Sequence, residues 1–171
     1  MESKSSSPEG DGTNLPTTYN LLYVCTGNTC RSPLARAITE RLIAARGWTH
    51  VSVDSAGTAG VEGARASENA VVVAREHGLS LDEHRSKELT AELLEWADLV
   101  LVMTPSQFEM VARLGHAPKV ALVTDFIEGV GSGQAVRDPF GGDIDAYRQT
   151  CEQLVRSAES LLERLEPILS P

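Results

Sequence analysis

With 15 basic and 24 acidic side chains, this 171-residue chain carries a formal charge of −9, and the excess of acid argues against nonspecific nucleic-acid binding. The length suits one domain with a full core, and no apolar run is long enough to span a bilayer. Three cysteines, Cys25, Cys30 and Cys151, are too few and too odd in number for a disulfide scaffold, so an intracellular, cytoplasmic setting is expected.

Residues 1–18 are rich in Ser, Pro, Gly, Thr and acid and lack the apolar centre of a signal peptide. They read as a disordered tail with no assigned role. Beyond them, over residues 19–169, strand and helix signals alternate. Strands are expected near 20–25, 50–54, 98–103 and 119–124, and helices near 33–46, 67–78, 90–97, 105–114 and 143–166. Gly47 and Gly78 stand where glycine ends a helix. The run Gly129–Gly133 reads as a loop. In the last helix Ile144, Tyr147, Cys151, Leu154, Ala158, Leu161 and Leu165 recur at three- and four-residue steps, which puts Cys151 in the core. Glu163, Arg164 and Glu166 fall on its solvated face. Short apolar strands alternating with helices predict an α/β fold: one four-stranded parallel sheet covered on both faces, with ligands at the carboxyl ends of the strands.

The first strand runs into Val24-Cys25-Thr26-Gly27-Asn28-Thr29-Cys30-Arg31-Ser32-Pro33, and a helix follows. Ser32 is a good N-cap and Pro33 suits the first helical position. A loop feeding a helix start aims backbone N–H groups and the positive end of the helix dipole at one spot, which suits a dianion and a thiolate. Phosphoryl transfer requires a nucleophile, a cradle for three oxygens and a fixed positive charge. Cys25 supplies the first and the amides from Thr26 to Arg31 the second, with Gly27 allowing close approach. Arg31 supplies the charge and grips two oxygens at once. Ser32 is placed to donate its hydroxyl to the Cys25 sulfur. Asn28 tolerates a left-handed backbone and braces the loop. The loop lacks the Gly-Lys-Ser/Thr of a nucleotide P-loop and the glycine spacing of a dinucleotide fingerprint.

A nucleophile that expels a poor leaving group needs a general acid. The candidate is Asp138 in Asp138-Pro139-Phe140-Gly141-Gly142, just before the last helix. His50, His77, His84 and His116 are scattered without metal-ligand spacing, so no metal is expected. Glu83-His84-Arg85-Ser86 reads as a polar loop.

These stretches, with Asp54-Ser55-Ala56-Gly57-Thr58, His84-Arg85-Ser86, Leu89-Thr90 and Ala97–Met103, resemble the low-molecular-weight protein tyrosine phosphatases over residues 19–169. The resemblance implies a flavodoxin-like fold and a phosphocysteine formed on Cys25. It also implies phosphate held by Arg31, and Asp138 as acid and then base. It implies no cofactor, phosphorylated protein substrates and a monomer.

Within that family the chain is most similar to the bacterial protein arginine phosphatases. Thr29 stands where tyrosine-directed members carry an aliphatic residue, and its hydroxyl makes a polar pocket wall. Ala59-Gly60-Val61-Glu62-Gly63 lacks an aromatic to stack on a phenyl ring. Gly141 replaces a second aromatic after Phe140, which is left as the sole rim aromatic. Phosphoarginine is therefore the expected substrate and phosphotyrosine the alternative. Arg36 stands where the family commonly has Glu, and Arg65 where Pro often lies.

Cys30 lies close enough along the loop to form a reversible disulfide with Cys25, as the resemblance also implies; a small buried residue is the other reading. Arsenate reductases of this fold carry a similar loop but relay oxidation to central cysteines, and residues 60–125 contain none. A phosphoresidue-binding module without turnover would need neither Cys25 nor Asp138.

Overall fold

The computed structural model describes residues 18–128 and 134–170. The tail reading for 1–18 therefore lies outside the described residues except at residue 18, and so does the loop reading for 129–133. Four parallel strands form one sheet: β1 Tyr19–Cys25, β2 Val51–Gly57, β3 Leu99–Val102 and β4 Val120–Leu122, in the order β2-β1-β3-β4. Parallel strands need crossovers, and the helices provide them: α1 Arg31–Ala45, α2 Glu68–Glu76, α3 Ala91–Trp96, α4 Pro105–Val111, α5 Asp125–Glu128 and α6 Ile144–Leu169.

The period of two in β1 sorts its side chains between two cores. Leu21, Tyr23 and Cys25 face a cluster built with α1, α2 and α6. Leu22 and Val24 face a smaller cluster with Leu94 of α3 and Val111 of α4. Being buried on both faces, β1 reads as a continuous apolar run rather than an alternating one. The α6 stripe behaves as its spacing predicts, with Tyr147, Cys151, Leu154, Ala158, Leu161 and Leu165 buried and Ile144 half-buried. Burial pushes the Cys151 thiol up to about 11. Glu163, Arg164 and Glu166 are exposed, and the Arg164 guanidinium lies over the Phe126 ring, 5.1 Å from its centre.

Gly47 and Gly78 adopt φ of 69° and 73° just beyond the ends of α1 and α2, the left-handed cap that glycine adopts without a Cβ clash. The helix expected over 105–114 stops at Val111. A wider π-type turn follows over Ala112–His116, where Gly115 takes φ 94° and cannot continue an α-helix. α5 had no counterpart in the sequence pattern, since a single turn carries no periodicity.

The helix start at Ser32 and Pro33 is corrected. α1 begins at Arg31, with Cys30 before it at φ −138° and no side-chain cap. Ser32 is already inside the helix because its hydroxyl is engaged by the loop and is not free to cap. The order of strands turns back between β1 and β3, so the carboxyl end of β1 opens at the switch point where such sheets bind ligands. Residues 26–30 leave β1 there.

Candidate active site

Cys25 ends β1 and is 1 % exposed. Its Sγ lies 2.9 Å from Ser32 Oγ and accepts the Asn28 backbone N–H at 3.3 Å. Asn28 Nδ2 donates to Ser32 Oγ at 2.7 Å. An amide nitrogen can only donate, so Ser32 accepts there and its hydroxyl hydrogen is free for sulfur. Two donors and the start of a fifteen-residue helix thus converge on the Cys25 sulfur.

Asn28 is the pin of the loop. It is fully buried at φ 55°. Nδ2 also donates to Ser55 Oγ at 3.0 Å, and Oδ1 accepts the Lys87 N–H at 3.0 Å. Its carbonyl accepts from His84 Nε2 at 2.7 Å. A left-handed non-glycine backbone costs free energy, and this set of bonds over-determines it.

Arg31 is 3 % exposed. Nη1 donates to Val136 O at 3.0 Å and Nη2 to Thr26 Oγ1 at 3.4 Å, while Nη2 lies 3.5 Å from Asp138 Oδ2. Nε is buried with no partner among the described residues. A buried unpaired donor of a cation is costly, and a phosphoryl oxygen would satisfy it. Val136 N–H donates to Met103 O at 2.7 Å, which ties the segment leading to Asp138 to the end of β3.

Asp138 thus reaches the loop from 107 residues beyond Arg31 in sequence order (138 − 31 = 107). Its Oδ1 accepts the Phe140 N–H at 3.0 Å and a weak bond from Cys30 Sγ at 3.8 Å, and half of its side chain stays exposed. Burial first, then the neighbouring Cys25 and Asp138, pushes the Cys30 thiol up to about 12. Cys30 is therefore protonated at neutral pH and donates rather than attacks. All three cysteines are free thiols. Thr29 is half-buried and its carbonyl accepts the Ser67 N–H at 2.9 Å. Phe140 and Val61 are each 74 % exposed.

Several residues of the site escape a reading by contiguous motif. Gly27 has room: a Cβ there would meet only Thr29 Oγ1, at 3.5 Å. The close approach belongs to Gly57, at the end of β2, where a Cβ would lie 2.6 Å from Thr26 O and 3.0 Å from Asn28 N. Both are backbone atoms of the loop that follows Cys25, so a methyl must displace that loop. Gly57→Ala is expected to lower kcat/KM about 10²-fold, the scale for a misplacement near 1 Å, with a lower melting temperature. Parental kinetics would mean that the loop yields without losing its geometry.

The segment His84–Leu89 forms a strap over the same side. Gly57 N–H donates to Lys87 O, Leu89 N–H to Gly57 O and Glu88 N–H to Glu62 Oε1, at 2.9, 2.8 and 2.7 Å. Ser86 Oγ bonds Val61 O and accepts the Ala64 N–H. The polar loop expected at Glu83–Ser86 thus bonds onto the Cys25 loop itself, through His84 Nε2. Arg36 pairs with Glu40 at 2.8 Å and Asp54 at 3.0 Å, and Lys87 shares Asp54.

His84 titrates below its usual 6.5, chiefly because it is buried and further because Arg36, Lys87 and Arg85 surround it; its bond to Asn28 opposes the shift. The unfolded chain therefore binds this proton more readily than the folded one. The stabilisation is complete above about 6.5 and is lost as pH falls through the lower folded value. The melting temperature is expected to drop further between about pH 7 and pH 5 in the parent than in His84→Gln, which keeps a donor. Parallel pH profiles of the two would remove His84 from the account.

Residues 20–168 match the model of the low molecular weight phosphotyrosine protein phosphatases. A protein-arginine-phosphatase of Bacillus subtilis is 40 % identical over 149 residues, which span 86 % of this chain and 97 % of that one. A solved structure of a YwlE arginine phosphatase variant with a phosphorylated active-site serine superposes with a TM-score of 0.80 at 37 % identity, covering 86 % of this chain and 95 % of the other. A low molecular weight protein tyrosine phosphatase from T. tengcongensis superposes equally well, with a TM-score of 0.80 at 36 % identity, covering 86 % of this chain and all of that one. The chain belongs to the low molecular weight phosphotyrosine protein phosphatase family.

Proposed function

We propose that this chain is a cysteine-dependent protein phosphatase that hydrolyses phosphoarginine. The observation that carries the phosphatase reading is the convergence of Cys25, Arg31 and Asp138 on one loop. In the first step the Cys25 thiolate attacks phosphorus, and the bond from phosphorus to the leaving nitrogen or oxygen breaks. Asp138 passes its proton to that leaving atom. Arg31 and the loop amides hold the three remaining oxygens, where charge is greatest in the transition state. In the second step the Asp138 carboxylate takes a proton from water, which attacks the phosphocysteine and releases phosphate, restoring the Cys25 thiolate and protonated Asp138.

The preference for phosphoarginine rests on Thr29 and on the sparse aromatic rim. A phenyl ring gains from stacking walls, and in this reading Phe140 is the one aromatic among the described residues to offer one. A guanidino group, with several N–H donors, gains from a hydroxyl. Global similarity separates the two substrates only narrowly: relatives named for arginine are 37 to 40 % identical, and relatives named for tyrosine 28 to 38 %. The local residues have to carry the distinction.

Phosphate release from a phosphoarginine protein and a phosphotyrosine peptide, measured side by side with Cys25→Ser as the blank, tests this. Faster release from phosphoarginine is expected. Thr29→Ile is expected to move the ratio of kcat/KM values about tenfold toward phosphotyrosine. An unchanged ratio would sink the role of Thr29, and release from neither substrate would sink the phosphatase itself.

Protein substrates, no nucleic-acid partner, a monomer and a cytoplasmic location complete the proposal, with residues 19–169 as the catalytic domain. The net charge of −9 supports the absence of a nucleic-acid partner. No helix among the described residues is long and apolar enough to cross a membrane.

A further inference from the structure

Gln107 is 5 % exposed, and the chemistry above makes no use of it. It opens α4 in a capping box: Thr104 Oγ1 accepts the Gln107 N–H at 3.2 Å, and Gln107 Oε1 accepts the N–H groups of Thr104 at 3.2 Å and Met103 at 2.9 Å. Capping occupies only the carbonyl half of the carboxamide. The other half crosses to the phosphate loop, where Nε2 donates to Thr26 Oγ1 at 3.2 Å. Arg31 Nη2 donates to that same oxygen at 3.4 Å.

A hydroxyl has two lone pairs and one hydrogen. With Gln107 and Arg31 on the lone pairs of Thr26, its hydrogen is left to be donated. Thr26 directly follows the nucleophile and is exposed where the loop opens. The loop is therefore braced from two sides: Asn28 ties it to β2 and the 84–89 strap, and Thr26 ties it to the β3–α4 turn.

We propose that Gln107 is a positioning residue for oxyanion binding: through Thr26 Oγ1 it holds the Arg31 guanidinium in place and turns the Thr26 hydroxyl into a donor for the phosphoryl group. Glutamine suits this role because one side chain must accept from the turn and donate to the loop. Glutamate would cap equally well but, when ionised, could not donate. The inference rests on the reading of residues 25–31 as the phosphate cradle.

The test is competitive inhibition by inorganic phosphate, measured with KM and kcat on the full chain for Gln107→Met, Thr26→Val and the double variant. Each single change is expected to raise the phosphate Ki about fivefold, one hydrogen bond's worth, and to raise KM more than it lowers kcat. The double variant is expected to match the worse single one, since both act through one oxygen. Independent, multiplying effects, or a parental Ki in Gln107→Met, would reduce Gln107 to a helix cap and overturn the proposal.

Should Gln107→Met fail to fold, Gln107→Glu keeps both cap contacts. At pH 8, where the new carboxyl is ionised and cannot donate to Thr26 Oγ1, its phosphate Ki is expected to exceed the parent's about fivefold. A parental Ki would overturn the proposal. Arg31→Lys serves as the separate control: an unchanged phosphate Ki there would refute the cradle reading itself, whatever Gln107 does.

Discussion

Cys25→Ser is expected to abolish turnover, lowering kcat by about 10⁴-fold or more, while phosphate still binds with near-parental affinity. The two properties separate because they belong to different atoms. In the proposed mechanism, binding falls to Arg31 Nε, which is buried and unpaired among the described residues, together with the loop amides and the start of α1. None of these depends on the sulfur. Turnover depends on the sulfur, which Ser32 Oγ and the Asn28 N–H hold in place and which is a far better nucleophile than a serine hydroxyl there. Inhibition by inorganic phosphate and steady-state kinetics on one preparation check both halves. Residual full-rate turnover would mean that another group attacks phosphorus. Lost phosphate binding would mean that the cysteine shapes the cradle as well as reacting in it.

The nucleophile, Arg31 and the loop brace are legible in sequence because they lie within eight consecutive residues, Cys25 to Ser32, and a short loop between a strand and a helix has little freedom in where it points. Asp138 is legible as a candidate, since an Asp-Pro before Gly-Gly marks a stiff carboxylate in a loop. Its meeting with Arg31 is a tertiary fact, made through Val136, which links Arg31 to the end of β3. Gly57, Ser55, His84, Lys87 and Gln107 carry no local signal of their role, because each acts across 27 or more residues. A parallel sheet nevertheless confines them. Gly57 ends β2 and Gln107 follows β3, so both lie at the same carboxyl edge as Cys25, the edge where such sheets bind ligands. Ser32 shows the opposite error. Ser-Pro is a strong local cap signal, yet a bond from Ser32 to a nucleophile seven residues earlier outweighs it.

Asp138→Asn is expected to slow hydrolysis of phosphoarginine, or of any ester with a basic leaving group, by about 10²- to 10⁴-fold, the usual worth of a positioned general acid. The carboxyl sits on the loop side of Arg31, 3.5 Å from Nη2, and stays half exposed, so it can exchange protons with solvent between turnovers. Asparagine keeps the size and can still accept the Phe140 N–H, so the loop should hold its shape. What it cannot do is release a proton to the departing atom. The penalty should therefore scale with the basicity of the leaving group: large for a guanidine or an unactivated phenol, small for p-nitrophenol, which departs readily as its anion. With p-nitrophenyl phosphate the second step then becomes limiting, because water loses its base, and a burst of p-nitrophenol should precede a slow steady state. Rapid-mixing kinetics on the two substrate types read both effects. A loss of equal size on both, without a burst, would assign Asp138 to holding Arg31 rather than to moving the proton.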